Sequence, residues 1–249
     1  MTGTRHRGRS LLTLAYMNGI VPMRTQPLYL VGVLASPLSF LFFVSVASQG
    51  RLLLAGVSGG MVLTMLSIGT SLQTDMSHYR QDLKLQDLVV ASPVEAPIYV
   101  AGIALSELVY SIPGIVVLAA LWVVNAPVTV LGVVTVIPLL LMVWAFASGL
   151  GFTLATFFAD VRETFIFSTL VSLGLSVLPP VYYPVSYLPM AIRPLAYLSP
   201  TTYAADLMRH AFGLEALTLS AQAVDWGVLI AFTLALLAIA GWKARWREP

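Results

Sequence analysis

The chain reads as an all-α integral membrane protein of six transmembrane helices. Three observations carry that prediction: 58% of its residues are hydrophobic, only 10% are charged, and the apolar residues gather into six long runs. A soluble domain carries about 25% charged residues, so a surface this poor in charge is not built to face water. The 249 residues hold no polar block large enough for a second domain, so 1–249 is read as one membrane domain. Cysteine is absent, which excludes disulfides, thiolate nucleophiles and cysteine-based metal sites.

The elements follow from the N-terminus. Arginines 5, 7 and 9 precede an apolar stretch broken by Asn18, Gly19, Pro22 and Arg24. A secretory signal has an unbroken apolar core and a small-residue cleavage site. Residues 10–26 therefore predict an amphipathic helix at the inner leaflet, its arginines meeting anionic lipid. Crossing the hydrocarbon takes roughly 20 apolar residues. Runs of that kind predict spans at about 28–48, 52–73, 98–124, 128–158, 164–182 and 226–242. The last is the shortest, with room to extend by a turn toward Ala221, and Asp225 is placed at its interface.

Charge sets the orientation. Ten of the 13 Lys and Arg residues fall on the side of the two termini, and only Arg51, Arg193 and Arg209 fall on the other. That bias places both termini in the cytoplasm. Trp226 and Trp242 bracket the last span, as interfacial tryptophans do.

Three features within the spans bear on chemistry. Glu107 is the one carboxylate well inside a predicted span, and no second acid is expected at its depth. A buried acid is a functional candidate by default, against a structural hydrogen bond to Ser or Thr of a neighbouring helix. Gly56, Ser58, Gly59 and Gly60, with Ser148, Gly149 and Gly151, permit close helix approach within the chain or at a dimer face. Asp160, Arg162 and Glu163 form either a solvated turn or a cytoplasmic contact.

Two connections stand out. In the first, a helix over about 80–91 places Leu83, Leu85, Leu88 and Val89 among Asp82, Lys84, Gln86 and Asp87. Ser92-Pro93 and Ala96-Pro97 then stop it. The second, 183–222, is too apolar and proline-rich for an ordinary loop and predicts a segment that re-enters the outer leaflet. Irregular backbone at membrane depth is tolerated only inside protein or beside water. Tyr183, Tyr187, Tyr197 and Tyr203 concentrate there with Tyr182 just before it, together half of the ten tyrosines. They suit an aromatic belt, or a gate along which an amphipathic or sugar-bearing substrate slides. Asp206 and Arg209 are spaced i,i+3 and are expected to pair.

In this order and on this topology, these features resemble the membrane subunit of an ABC-2 type (type 2 exporter, subfamily G-like) ABC transporter. The resemblance rests on the N-terminal amphipathic segment, the six spans and the Ser92-Pro93 ending. It also rests on Leu188-Pro189 followed by Ser199-Pro200 and then Asp206-Leu-Met-Arg209. It implies that Arg80, Asp82, Leu85, Leu88, Ser92 and Pro93 belong to a coupling helix docked on an ATPase subunit. The family often has Gly-Thr before the leucines, where this chain has Gln81-Asp82-Leu83-Lys84, so the docking contacts differ in detail. By the same resemblance, the chain is a multi-pass subunit of the cell inner (plasma) membrane that pairs with a second copy or a related permease subunit. It carries no cofactor, and ATP and Mg sit on the partner. Drugs, lipids, glycolipids and polysaccharides are the cargo classes implied, and Glu107 and the five tyrosines are the candidates along their route.

Rival functions are weaker. The chain has no Gly-x-x-x-x-Gly-Lys-Ser/Thr loop to hydrolyse ATP itself. His6, His78 and His210 fall on different sides of the membrane, so they do not converge on an active site. Membrane lipid is an expected partner, and nucleic acid is not. An ion-coupled secondary transporter is the alternative, although the halves show no visible repeat of the kind that class carries.

Overall fold

The computed structural model describes residues 3–25, 28–81, 96–157, 161–176 and 180–243. Those residues are helical throughout, with short turns and no strand among them. The order is α1 (Gly3–Ala15), a π-helical turn (Tyr16–Ile20), α2 (Val21–Thr25), α3 (Leu28–Ala47), α4 (Leu53–Gln81), α5 (Ala96–Asn125) and α6 (Val130–Phe157). Then come α7 (Val161–Ser176), a 3-10 turn (Val185–Tyr187), α8 (Arg193–Ala196), α9 (Pro200–Ala211) and α10 (Leu219–Lys243).

Among the described residues, four helices are long and apolar enough to cross a bilayer: Leu53–Ser77, Ile98–Asn125, Val130–Phe157 and Leu219–Trp242. They correspond to the second, third, fourth and sixth predicted spans. The first and fifth predicted spans meet α3, with Pro37 inside it, and the 16-residue α7. At 1.5 Å per residue the described residues of α7 cover roughly 24 Å of the ~30 Å hydrocarbon. By Pro180 the chain is in a turn, so the fifth helix does not continue to 182 as the apolar pattern suggested. Proline cannot extend a helix without losing a backbone bond.

Two further boundaries differ. α4 does not stop at 73 but runs to Gln81, so Asp75 lies in a spanning helix rather than in a connection. Likewise α10 starts at Leu219, ahead of the predicted span at 226, and Asp225 is a buried residue of its second turn. In both cases a polar residue read as an end is accommodated by neighbouring helices, which hydropathy along one strand of sequence does not register.

α4 is the central helix: 72% of its window is buried, against 22–33% for the other three. Val57, Met61, Val62, Met65, Leu66, Ile68 and Leu72 supply its apolar contacts. Packing without a hydrophobic drive between helices relies on small residues. Here they serve contacts within the chain. Gly56 meets Leu41 of α3, Gly60 meets Leu118 of α5, and Gly149 meets Leu236 and Leu237 of α10. The Trp144 indole of α6 donates to the carbonyl of Ala104 on α5 at 2.9 Å. Trp122 and Phe212 stack with centroids 4.2 Å apart, tying the end of α5 to the end of α9.

The N-terminal helices pack on α5. Leu14 faces Gly102, and Gly19, in the π-helical turn, meets the Ser106 carbonyl and Val109. The predicted amphipathic segment is thus helical from Gly3 onward and has one face on protein. Leu12, Tyr16 and Met17 leave the opposite face exposed.

Candidate functional site

Two polar arrangements stand out in this apolar fold. The first is a groove between α4 and α7 of about 480 Å³, lined by Thr70, Ser71, Thr74, Asp75, Phe165, Ser168, Thr169, Ser172 and Leu173. The spacing of 70/74 and 71/75 on α4, and of 165/169 and 168/172 on α7, stacks these residues on facing helix sides. The helices are joined beside it by a hydrogen bond from the Ser168 hydroxyl to Gln73 Oε1, both side chains buried.

The three threonines of the groove have their protons committed to carbonyls of their own helices. Thr70 donates to the Ser67 carbonyl at 2.7 Å and Thr74 to that of Thr70 at 2.9 Å. Thr169 donates to the Phe165 carbonyl at 2.9 Å. What these oxygens turn toward the groove is lone pairs.

Asp75 stands where the groove meets α5. Its carboxyl contacts that of Glu107, and Ser71 also hydrogen-bonds Glu107. Glu107 is buried and is therefore held by a serine of a neighbouring helix, one of the two roles considered for it. The expectation that no second acid lies at its depth is overturned. Asp75 escaped notice because it follows Thr74 at a polar boundary, and only the length of α4 brings it alongside α5.

The second arrangement organises the outer segment. Arg209, fully buried on α9, pairs with Asp206 one turn earlier and with Glu215 at 3.2 Å. Its Nη1 also donates to the carbonyls of Pro180, Val181 and Tyr183 at 3.3, 3.5 and 3.4 Å. A guanidinium is one of the few side chains with enough donors for this. Freed carbonyls of the proline-rich chain are thereby satisfied inside protein, as backbone in an apolar setting must be. The sequence had marked the Asp206–Arg209 pair, but not its reach to residues nearly thirty positions away.

The five tyrosines do not converge. Tyr182 is buried and stacks on Phe40 at 5.0 Å. Tyr183 is half-buried, and Tyr187 stands exposed in the 3-10 turn. Tyr197 and Tyr203 pair, with centroids 5.9 Å apart and the Tyr203 hydroxyl donating to the Tyr197 carbonyl at 2.9 Å. Burial, reinforced by Asp225 and Asp206, holds the Tyr203 phenol above its usual range. Glu107 is not among them; it belongs with the α4–α7 groove. Of the residues expected in a coupling helix, Arg80 is in the last turn of α4. Asp82, Leu85, Leu88, Ser92 and Pro93 lie outside the described residues, as does Asp160. Among the described residues no group of three His, Cys, Asp or Glu side chains is placed to hold a metal ion.

The described residues are all-helical, and four of the helices are those of a multi-pass membrane protein. The family model for the ABC-2 type transporter matches residues 11–212, most of the chain, and the protein belongs to that family. Its membrane domain is a permease subunit and is not itself catalytic. No curated protein matches the chain.

Proposed function

We propose that this chain is the membrane-spanning permease subunit of an ATP-driven exporter, working with a separate cytoplasmic subunit that binds ATP and Mg. α3 and α7 complete six spans, both termini face the cytoplasm of the inner membrane, and a second copy or a related subunit completes the path. The segment 183–222 dips into the outer leaflet, with Tyr182, Tyr183, Tyr187, Tyr197 and Tyr203 beside the exit. Arg80, Asp82, Leu85, Leu88, Ser92 and Pro93 take up the ATPase stroke. Drugs, lipids, glycolipids or polysaccharides are the cargo.

The observation that supports this best is the α4–α7 groove. Hydroxyls and a carboxyl facing hydrocarbon are costly, and polar groups within membrane helices turn toward a bundle interior or a water-filled cavity. A polar face between α4 and α7 is therefore a stretch of cargo route. Co-purification with the ATPase subunit, with ATP turnover measured with and without the permease, tests the reading. A stable complex with altered turnover is expected, and a Leu85→Asp/Leu88→Asp double variant that still binds the ATPase would sink the coupling assignment.

The contact between Asp75 and Glu107 favours a second reading, an ion-coupled secondary transporter. Transport that persists without any ATPase subunit, and that follows an imposed ion gradient, is the outcome that would select it.

A further inference from the structure

We propose that the α4–α7 groove selects organic cations, taking an amphiphile with a protonated amine or other cationic head against Asp75 and its apolar body along Phe165 and Leu173. This inference rests on the groove being part of the cargo route, and it names the class of cargo.

The first support is the donor and acceptor inventory of the lining. Thr70, Thr74 and Thr169 donate to carbonyls of their own helices, and Ser168 donates to Gln73. Ser71 is bonded to Glu107. A hydroxyl in this state accepts and does not donate. A wall in which these hydroxyls and Asp75 present acceptors matches a ligand that brings donors or positive charge better than a phosphate or sulfonate.

The second support is the contact between the Asp75 and Glu107 carboxyls. Two ionised carboxylates in contact repel, so the arrangement needs a proton or another positive charge with it. Asp75 lines the groove while Glu107 lies buried behind it, so a cationic head reaches the pair from the groove side.

The third support is size and polarity. About 480 Å³ is the scale of a small-molecule site. Phe165 and Leu173 are exposed at its edge, and they continue into the exposed Ile166 and Leu170 of the same helix. An amphiphile can therefore keep its apolar body on that surface while its head meets Asp75.

The chain has no cysteine, so a single Thr169→Cys variant carries one reporter thiol in the groove. Native membrane vesicles with this full-length variant would be labelled with a water-soluble maleimide. Ethidium, a permanent organic cation with two amino donors, would be compared with anilinonaphthalene sulfonate, an anionic aromatic of similar size. The expected result is labelling that ethidium slows and the sulfonate does not. Asp75→Asn in the same background should keep the labelling and weaken ethidium protection roughly ten- to a hundredfold, the scale of one lost charge-assisted bond. Labelling that ethidium fails to slow, that the sulfonate slows equally, or that Asp75→Asn leaves fully protected overturns the cation assignment while the route stands. No labelling of Thr169→Cys in otherwise intact protein removes the water-accessible route, and the inference with it.

Discussion

A Cβ placed on Gly151 would lie 2.1 Å from the carbonyl oxygen of Gly69, so α6 and α4 meet backbone to backbone at this point. The contact is reciprocal in kind, since a Cβ on Gly69 would lie 2.5 Å from the Ala147 carbonyl oxygen. Two glycines therefore set how closely the fourth predicted span approaches the central helix. The crossing lies on α4 just before Thr70, where the groove begins.

Gly151→Ala must separate α6 from α4, because the obstacle is backbone and not the end of a flexible side chain. Overpacking of this kind costs about 1–3 kcal/mol. Gly174→Ala, with nothing within 4 Å of the added Cβ, is the control. Replacing a helical glycine in open space stabilises by roughly 0.5–1 kcal/mol. Thermal unfolding of the two purified variants should move in opposite directions, and equal shifts would contradict the crossing.

Arg209 holds the proline-rich chain by several bonds at once, so truncation should be severe. Removing one partner of a buried ion pair costs about 3–5 kcal/mol, and Arg209→Ala would also orphan the carbonyls of Pro180, Val181 and Tyr183. Arg209→Lys keeps the charge without the planar fork and should recover only part of the loss. Limited proteolysis between 184 and 198 reads this directly, with cleavage fastest in the Ala variant, slower in Lys and slowest in the native chain.

Burial holds the Asp206 carboxyl above its ordinary value of 3.8, opposed by Arg209 and reinforced by Glu215. The folded chain then binds this proton more tightly than the unfolded chain does. Its contribution to stability is full below about pH 3.8 and is lost as pH rises through the raised folded value. Asp206→Asn removes the titration. Melting temperatures of the native chain, taken relative to that variant, should therefore fall between pH 4 and neutrality; a rise over the same range would contradict the burial of this carboxyl.

Much of the architecture was legible because its cause is local. Apolar runs long enough for a bilayer marked α4, α5, α6 and α10, and the i,i+3 spacing of Asp206 and Arg209 announced their pair. Boundaries at Asp75 and Asp225 were misplaced because a polar residue in sequence looks like an end of a span. Whether it is one depends on what faces it from another helix.

Composition and periodicity alone determined that the chain is an all-helical membrane protein with small residues where helices meet, since burying apolar side chains and satisfying backbone bonds within a helix need no partner to be read. Tertiary structure alone decided that Glu107 meets Asp75, that Thr70, Thr74 and Thr169 border one groove, and that Arg209 reaches three distant carbonyls. Those contacts join residues far apart in sequence, and their existence depends on how each helix is rotated and placed, quantities that close packing fixes and a linear pattern does not.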